Sequence, residues 1–439
     1  MEMKSLLVWS AVAASAAVFA TPSVSVTGIA TNSAGDVVVS YTLSGEDAII
    51  TCETFVDGVS VGRHFTGDAN RRVAQGARSF VWSPRSEGVT VRGEVSAKVT
   101  AWTFDNPPDY LVIGLASPKV RRYYASAEML PFPTTNDVYK TGMMLMRKIP
   151  AKNVVWRMGQ DDDNCGINSS DLTQTKVRDK ETPHMVKLTK DFYMGVYLVT
   201  HCQYAARTGL APSYYKTTVL GNNGNAALLP VENVSYDTLR GAESATFLNW
   251  PLAGHAVAPD SVLATIRAFT GVSTLDLPTE AQWEYACRAG TATALNSGRG
   301  IISNSSTAGD ANFADVGWSQ YSSSYDSRAA NHTMEVGLLA PNNWGLYDMH
   351  GNVFERCLDR YVIGDDYRAT FESGWEDGAV TVDPVGPSTS TVTNCTVRGS
   401  SCFYVGGYGR SASRVMGYAR SLATKHAGVR FVCNLPIEE

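Results

Sequence analysis

The sequence lacks any run of lysine and arginine long enough to follow a phosphate backbone, and its 37 basic residues are outnumbered by 42 acidic ones, for a net charge of −5. Both facts argue against nucleic acid as a partner. Charge of either sign is scarce, at 18% of residues against 44% hydrophobic ones, so the chain is too apolar to be disordered. Cysteine is scarce as well. Eight in 439 residues do not make a disulfide scaffold, and the absence of C-x-x-C spacing argues against a zinc knuckle or a thioredoxin-type motif. After the first twenty residues no apolar stretch reaches the roughly 18 to 20 residues that span a bilayer. What remains is an ordinary globular composition, long enough for two or three domains with a sizeable core.

Residues 1–20 read as a signal peptide. Lys4 supplies a short basic start, Leu6 to Phe19 an apolar segment, and Val18-Phe19-Ala20 a small-residue cleavage site before Thr21-Pro22. The expectation is an exported protein, secreted or held in the periplasm or cell envelope. An oxidising compartment would let a few of Cys52, Cys165, Cys202, Cys287, Cys357, Cys395, Cys402 and Cys433 pair as staples.

Residues 21–105 alternate apolar and polar positions, as in Val37, Val39, Tyr41, Leu43, then Ile50, Cys52, Thr54, and later Val95, Ala97, Val99, Ala101. That is strand periodicity. Asp57-Gly58 between two such runs supplies the positive φ angles of a tight hairpin. A small Ig-like β-sandwich is expected, with a structural or docking role, because Cys52 is isolated and His64 has no evident partner. Residues 106–140, opening with Pro107-Pro108, read as a connector with strand-like pieces. Beyond 141 helix signals appear. Thr200 with Gln203 and Thr279 with Gln282 can each close a capping box, with Gly209 and Gly290 as stops, and a third helix starts at Asp260 with Val262, Leu263, Ile266 and Phe269 on one face. Few helices among Gly-, Asn- and Ser-rich loops imply an α+β, loop-rich domain over 141–439.

Two stretches suggest a family. Leu277-Pro-Thr-Glu-Ala-Gln-Trp-Glu-Tyr-Ala-Cys-Arg-Ala-Gly290 closely resembles the central helix motif of the formylglycine-generating enzyme (sulfatase-modifying factor) superfamily, and Gly345-Leu-Tyr-Asp-Met-His-Gly-Asn-Val-Phe-Glu355 resembles its Gly-Leu-Tyr-Asp-Met-x-Gly-Asn-Val-Trp-Glu signature. Met158-Gly159, Phe192-Tyr193, Pro230-Val231, Arg398-Gly399-Ser400-Ser401 and Gly428-Val429-Arg430-Phe431 follow the family in the same order. The resemblance implies a domain related to the C-type lectin fold and often bound to calcium. Asp348, Gly351, Val353 and Glu355 match the family's calcium positions, and the local chemistry agrees: two carboxylates and two backbone carbonyls within eight residues, with a glycine that permits a sharp wrap around a hard cation. A second family calcium site would fall on Asn312, the carbonyl of Phe313 and Asp326. The acid run Asp161 to Asp163 reads as a solvated turn.

Active members of the family bind copper(I) through two cysteines shortly after the Arg-Gly-Gly-Ser strand and convert a substrate cysteine to formylglycine. Soft thiolates suit copper(I), so that chemistry needs both sulfurs. Here Tyr404 falls near the first position and Gly407 or Tyr408 near the second. Cys402 lies two residues early and Cys395 seven before it, so a displaced copper pair of Cys395 and Cys402 is the alternative to buried or disulfide-bonded thiols. The resemblance also implies a disulfide between Cys287 and Cys433. The expected function is a secreted, non-oxidase member whose Tyr404, Tyr408, Arg410, Arg414 and Tyr418 bind a peptide or glycan. Two alternatives stay open: that Arg398, Arg410 and Arg414 pair with core acids, and that the protein is an active, copper- and oxygen-dependent oxidase. An iron-dependent sulfoxide synthase is set aside, because the amino-terminal region reads as strands with one histidine.

Overall fold

The computed structural model describes residues 21–160, 181–216, 225–242, 256–302, 309–324, 332–363, 378–386, 393–414 and 416–437. The signal-like residues 1–20, Asp161 to Asp163, Cys165 and Asp326 lie outside them. Two compact units divide after Thr103.

The first unit is a sandwich of antiparallel sheets. Ser23–Thr31, Val37–Ser44, Gly76–Trp82 and Phe65–Gly67 form one sheet in that spatial order, and Ala48–Val56 centres the other between Val95–Trp102 and the short strands Val59–Ser60 and Arg71–Val73. The alternating residues Val37, Val39, Tyr41 and Leu43 turn inward with Ile50, Cys52, Phe80 and Trp82, as the period of two requires. Asp57 (φ 50°) and Gly58 (φ 78°) make the hairpin turn that the Asp-Gly pair announces. His64 differs from expectation: Nδ1 lies 3.7 Å from Glu87, which also accepts from the Trp82 indole N–H at 3.0 Å.

The second unit is α+β. Its six-stranded sheet runs Arg121–Tyr124, Tyr110–Gly114, Met143–Ile149, Phe192–Gly195, Val432–Asn434, Leu275–Asp276, so two strands come from the 106–140 segment. Val154–Met158, His184–Leu188 and Val380–Val382 form a second sheet, and Gly417–Ala419, Asn394–Arg398, Phe354–Arg360 and Ala427–Gly428 a third. Both capping boxes are present: Thr200 opens the helix His201–Thr208, and Thr279 opens Glu280–Arg288, each hydroxyl and Gln amide satisfying amides that the first turn leaves open. The third helix is Val262–Thr270, capped by Ser261 and stopped by Gly271 in the left-handed region. Helix Glu280–Arg288 is central, packing Trp283, Ala286 and Cys287 against Ile149, Val186, Phe192, Leu346 and Val432. Among the described residues no helix is long and apolar enough to cross a membrane.

The expected Cys287–Cys433 disulfide is absent, and all seven described cysteines are free. The helix aims Cys287 Sγ at Ser411 Oγ (3.6 Å) and His350 Nε2 (3.9 Å), whereas the strand aims Cys433 Sγ at Met146 Sδ (3.4 Å). Packing, rather than cross-linking, joins the central helix to the last strand. Burial raises both thiol pKa values, Cys287 to about 12.

Candidate functional site

The central helix presents Glu280 and Glu284 to the strand and turns that follow Arg398. Arg398 donates to Glu284 and places its Nε 3.1 Å from Glu280. Arg414 grips Glu280 with two donors at 2.6 and 3.0 Å, and Arg410 grips Glu181 with two at 2.8 Å. Arg410 and Arg414 are 1% and 2% exposed, so they hold core acids and offer no guanidinium fork to a ligand. That outcome follows the rule that buried arginines are paired.

Outside this buried network lies an aromatic surface. The Tyr404 ring stands 5.9 Å from Tyr408 and 5.3 Å from Phe354, and Tyr418 packs on the same Phe354 at 6.1 Å. His426 lies edge-on to Phe403 at 4.6 Å and to Tyr404 at 5.7 Å. Lys425 Nζ sits 4.6 Å over Phe403 and 5.0 Å over Tyr214, and Phe403 stacks on Tyr215 at 5.9 Å. The belt therefore continues from three expected residues, Tyr404, Tyr408 and Tyr418, to Phe403, Lys425, His426, Tyr214 and Tyr215, which sequence reasoning missed. Tight backbone sets its edge: a Cβ at Gly409 would meet Phe313 at 2.5 Å, so only glycine lets the 406–409 turn close on that ring. Beneath the belt, fully buried Glu232 accepts the Tyr215 N–H at 3.0 Å, and burial raises its carboxyl from 4.5 to about 7.

The two candidate copper thiols have different surroundings. Cys395 pairs across its sheet with Tyr418 and Arg360, near Arg420 and Arg356. Cys402 is packed with Trp318 and Met334, near Glu232 and Lys425. Burial raises both pKa values, Cys395 to about 12.

Residues 157–435 match the sulfatase-modifying factor enzyme 1-like domain family. The chain belongs to that family. A formylglycine-generating enzyme from Thermomonospora curvata is 35% identical over 117 residues, which is 26% of this chain and 35% of that protein. The match thus spans about a third of that relative's length. Among solved structures, the Treponema denticola variable protein 1 shares 21% identity at a TM-score of 0.44, covering 66% of this chain and 95% of that one. PvdO from Pseudomonas aeruginosa shares 22% at 0.47, covering 66% and 94%.

The residues that resemble the family's calcium positions, among them Asp348, Val353 and Glu355, are buried. Glu355 lies on the strand Phe354–Arg360 and accepts two donors of Arg430 at 2.9 Å, and Asp348, in the left-handed region at φ 56°, accepts the Gly337 N–H at 2.7 Å. Gly351 has φ 77°, and a Cβ there would fall 2.0 Å from the Trp318 carbonyl. Burial raises the Asp348 carboxyl to about 6, the signature of a charge that its two hydrogen-bond partners leave undercompensated. Each Glu355 oxygen keeps a second lone pair beside Arg430. At the second family position the Asn312 amide donates to the Gly300 carbonyl at 2.9 Å and the Phe313 carbonyl accepts the Val316 N–H at 3.0 Å.

Proposed function

We propose that this chain is a non-oxidase member of the sulfatase-modifying-factor family, a C-type-lectin-like recognition domain that binds a peptide or glycan on the aromatic belt around Tyr404, Tyr408 and Tyr418. One observation carries the reading: the positions near the family's copper thiolates hold Tyr404 and Gly407 or Tyr408 rather than cysteines, and the Tyr404 and Tyr408 rings form part of a half-buried, mixed aromatic and cationic surface. Amphipathic rings of this kind give large contact area at low entropic cost and keep a polar tip for hydrogen bonding. Lys425 is the cation of the belt, a role that Arg410 and Arg414 cannot fill from the core. Asp348 and Glu355, with the carbonyls of Gly351 and Val353, are the proposed calcium ligands; Asn312 and the Phe313 carbonyl are proposed for a second ion. Bound calcium would neutralise buried carboxylate charge and stiffen the loops that carry the belt. Export through residues 1–20 belongs to the same proposal.

The test is a screen of the full chain on an immobilised glycan array and a peptide library, in calcium and in EDTA, beside a Tyr404→Ala/Tyr408→Ala variant. The expected result is binding to one of the two classes, weakened by EDTA and at least about tenfold weaker in the variant, the usual cost of truncating central aromatic anchors. Equal binding by both proteins, or none by the intact one, contradicts the reading.

A further inference from the structure

The first unit leaves one edge of its sandwich open. Ser23–Thr31 is the end strand of its sheet and, among the described residues, pairs only with Val37–Ser44. Eight of its nine residues are exposed, and Val24 is half-buried. Edge strands of soluble proteins are ordinarily blunted by lysine, proline or an inward-pointing charge. This strand carries none of these, and no ionisable side chain occurs between Thr21 and Gly35.

The pairing register identifies the side chains on its core face. Val24, Val26, Ile29 and Thr31 stand opposite Leu43, Tyr41, Val39 and Val37, and directly opposed residues of an antiparallel pair share a face. Those four partners are buried, whereas Val26 and Ile29 are 41% and 37% exposed. The core face of this edge is therefore apolar and uncovered. It lies beside the row of backbone N–H and C=O groups that an edge strand turns outward, the arrangement on which strand addition works.

The spacing of that set points to the partner. A regular strand repeats its core-facing residues every second position. Here a bulge, with Thr27 as the extra residue between Val26 and Gly28, widens the central step. The series 24, 26, 29, 31 consequently has the same spacing in both directions. A half-turn about the bulge carries it onto itself, setting Val24 opposite Thr31 and Val26 opposite Ile29. A two-fold interface has to be complementary to itself in this way, and an uncharged strand brings no like charges together. The bulge sits at the axis and leaves 23–26 and 29–31 regular on either side. We propose that two copies of this chain pair through Ser23–Thr31, antiparallel about a two-fold axis at Thr27-Gly28, so that their four-stranded sheets join into one. The contact is short, which places the dimer in the weak, reversible class. The proposal stands independently of the ligand on the Tyr404 surface.

The test is sedimentation velocity of the full chain over about 1–200 µM, with the fold of each variant checked by circular dichroism. A monomer–dimer equilibrium is expected, with a Kd on the order of 10 µM for a contact of this size. Val26→Lys and Ile29→Glu each set an unmatched charge against an apolar side chain, and each should weaken the dimer at least about tenfold. Mixing the two variants puts the lysine of one chain opposite the glutamate of the other, and should restore a dimer that contains one of each. Val59→Lys, at a 64% exposed position on the other sheet, should leave association unchanged. A monomer across the whole range, association of Val26→Lys or Ile29→Glu equal to that of the unaltered chain, or a mixture no tighter than its components overturns the proposal.

Discussion

Replacing Arg430 by methionine should destabilise the second unit by about 3–5 kcal/mol, the usual cost of stranding one member of a buried ion pair. Arg430 and Glu355 are both 0% exposed. Besides its two donors to Glu355, Arg430 donates to the carbonyls of Gly195 (3.0 Å), Val196 (3.1 Å) and Tyr347 (2.7 Å). It thus ties the six-stranded sheet and the turn before Asp348 to the strand that carries Glu355. Methionine would strand the Glu355 carboxylate and take a donor from three carbonyls, of which Val196 keeps the Tyr347 N–H, in a space that water does not reach. The companion variant Arg430→Met/Glu355→Leu removes the stranded charge and should recover a large part of the loss. Urea unfolding followed by near-UV circular dichroism measures both; a loss within about 1 kcal/mol for the single variant would show that the pair does not hold the unit together.

The second large effect is a pH dependence centred on Glu232. Its folded pKa of about 7 lies above the unfolded 4.5, so the native state binds its proton more tightly than the unfolded chain does. The resulting stabilisation is complete below 4.5 and is lost as pH rises to about 7, at about 1.4 kcal/mol per unit and about 3 kcal/mol in all. Glu232→Gln keeps an acceptor for the Tyr215 N–H and cannot ionise. Other groups titrate in the same window, so the quantity to read is the stability difference between the two proteins. That difference should move by about 3 kcal/mol in favour of the variant between pH 4.5 and 7.5. Parallel curves would mean that Glu232 ionises in the fold as freely as in water.

How much of this was legible in the sequence depends on how local the physics is. Thr200 with Gln203 and Thr279 with Gln282 lie three residues apart and close their boxes within one turn, and the alternation from Val37 to Leu43 needs only the pleat of one strand. That Arg398, Arg410 and Arg414 pair with core acids was one of the readings open in the sequence, but which acids was out of reach, because Arg410 meets Glu181 across 229 residues and Arg414 meets Glu280 across 134. The cysteine pairing failed for a related reason. A motif places Cys287 on a helix but does not set which packed neighbours its sulfur faces, and here those are Ser411 and His350. The aromatic belt was half legible: Tyr404, Tyr408 and Tyr418 are close in sequence, whereas Tyr214, Tyr215 and Lys425 join them only through the fold.

The central claim is that the tyrosine-bearing surface recognises a ligand without oxidising it. The most direct test incubates the purified protein with a Cys-x-Pro-x-Arg peptide, copper(I), oxygen and reductant, beside a Cys402→Ser variant, and weighs the peptide by mass spectrometry. The account predicts no change of peptide mass with either protein, since the positions near the family's copper cysteines hold Tyr404 and Gly407 or Tyr408 and supply no thiolate. A loss of about 18 Da, the difference between a thiol and an aldehyde, that disappears in Cys402→Ser would contradict it and establish a rearranged soft-ligand copper site.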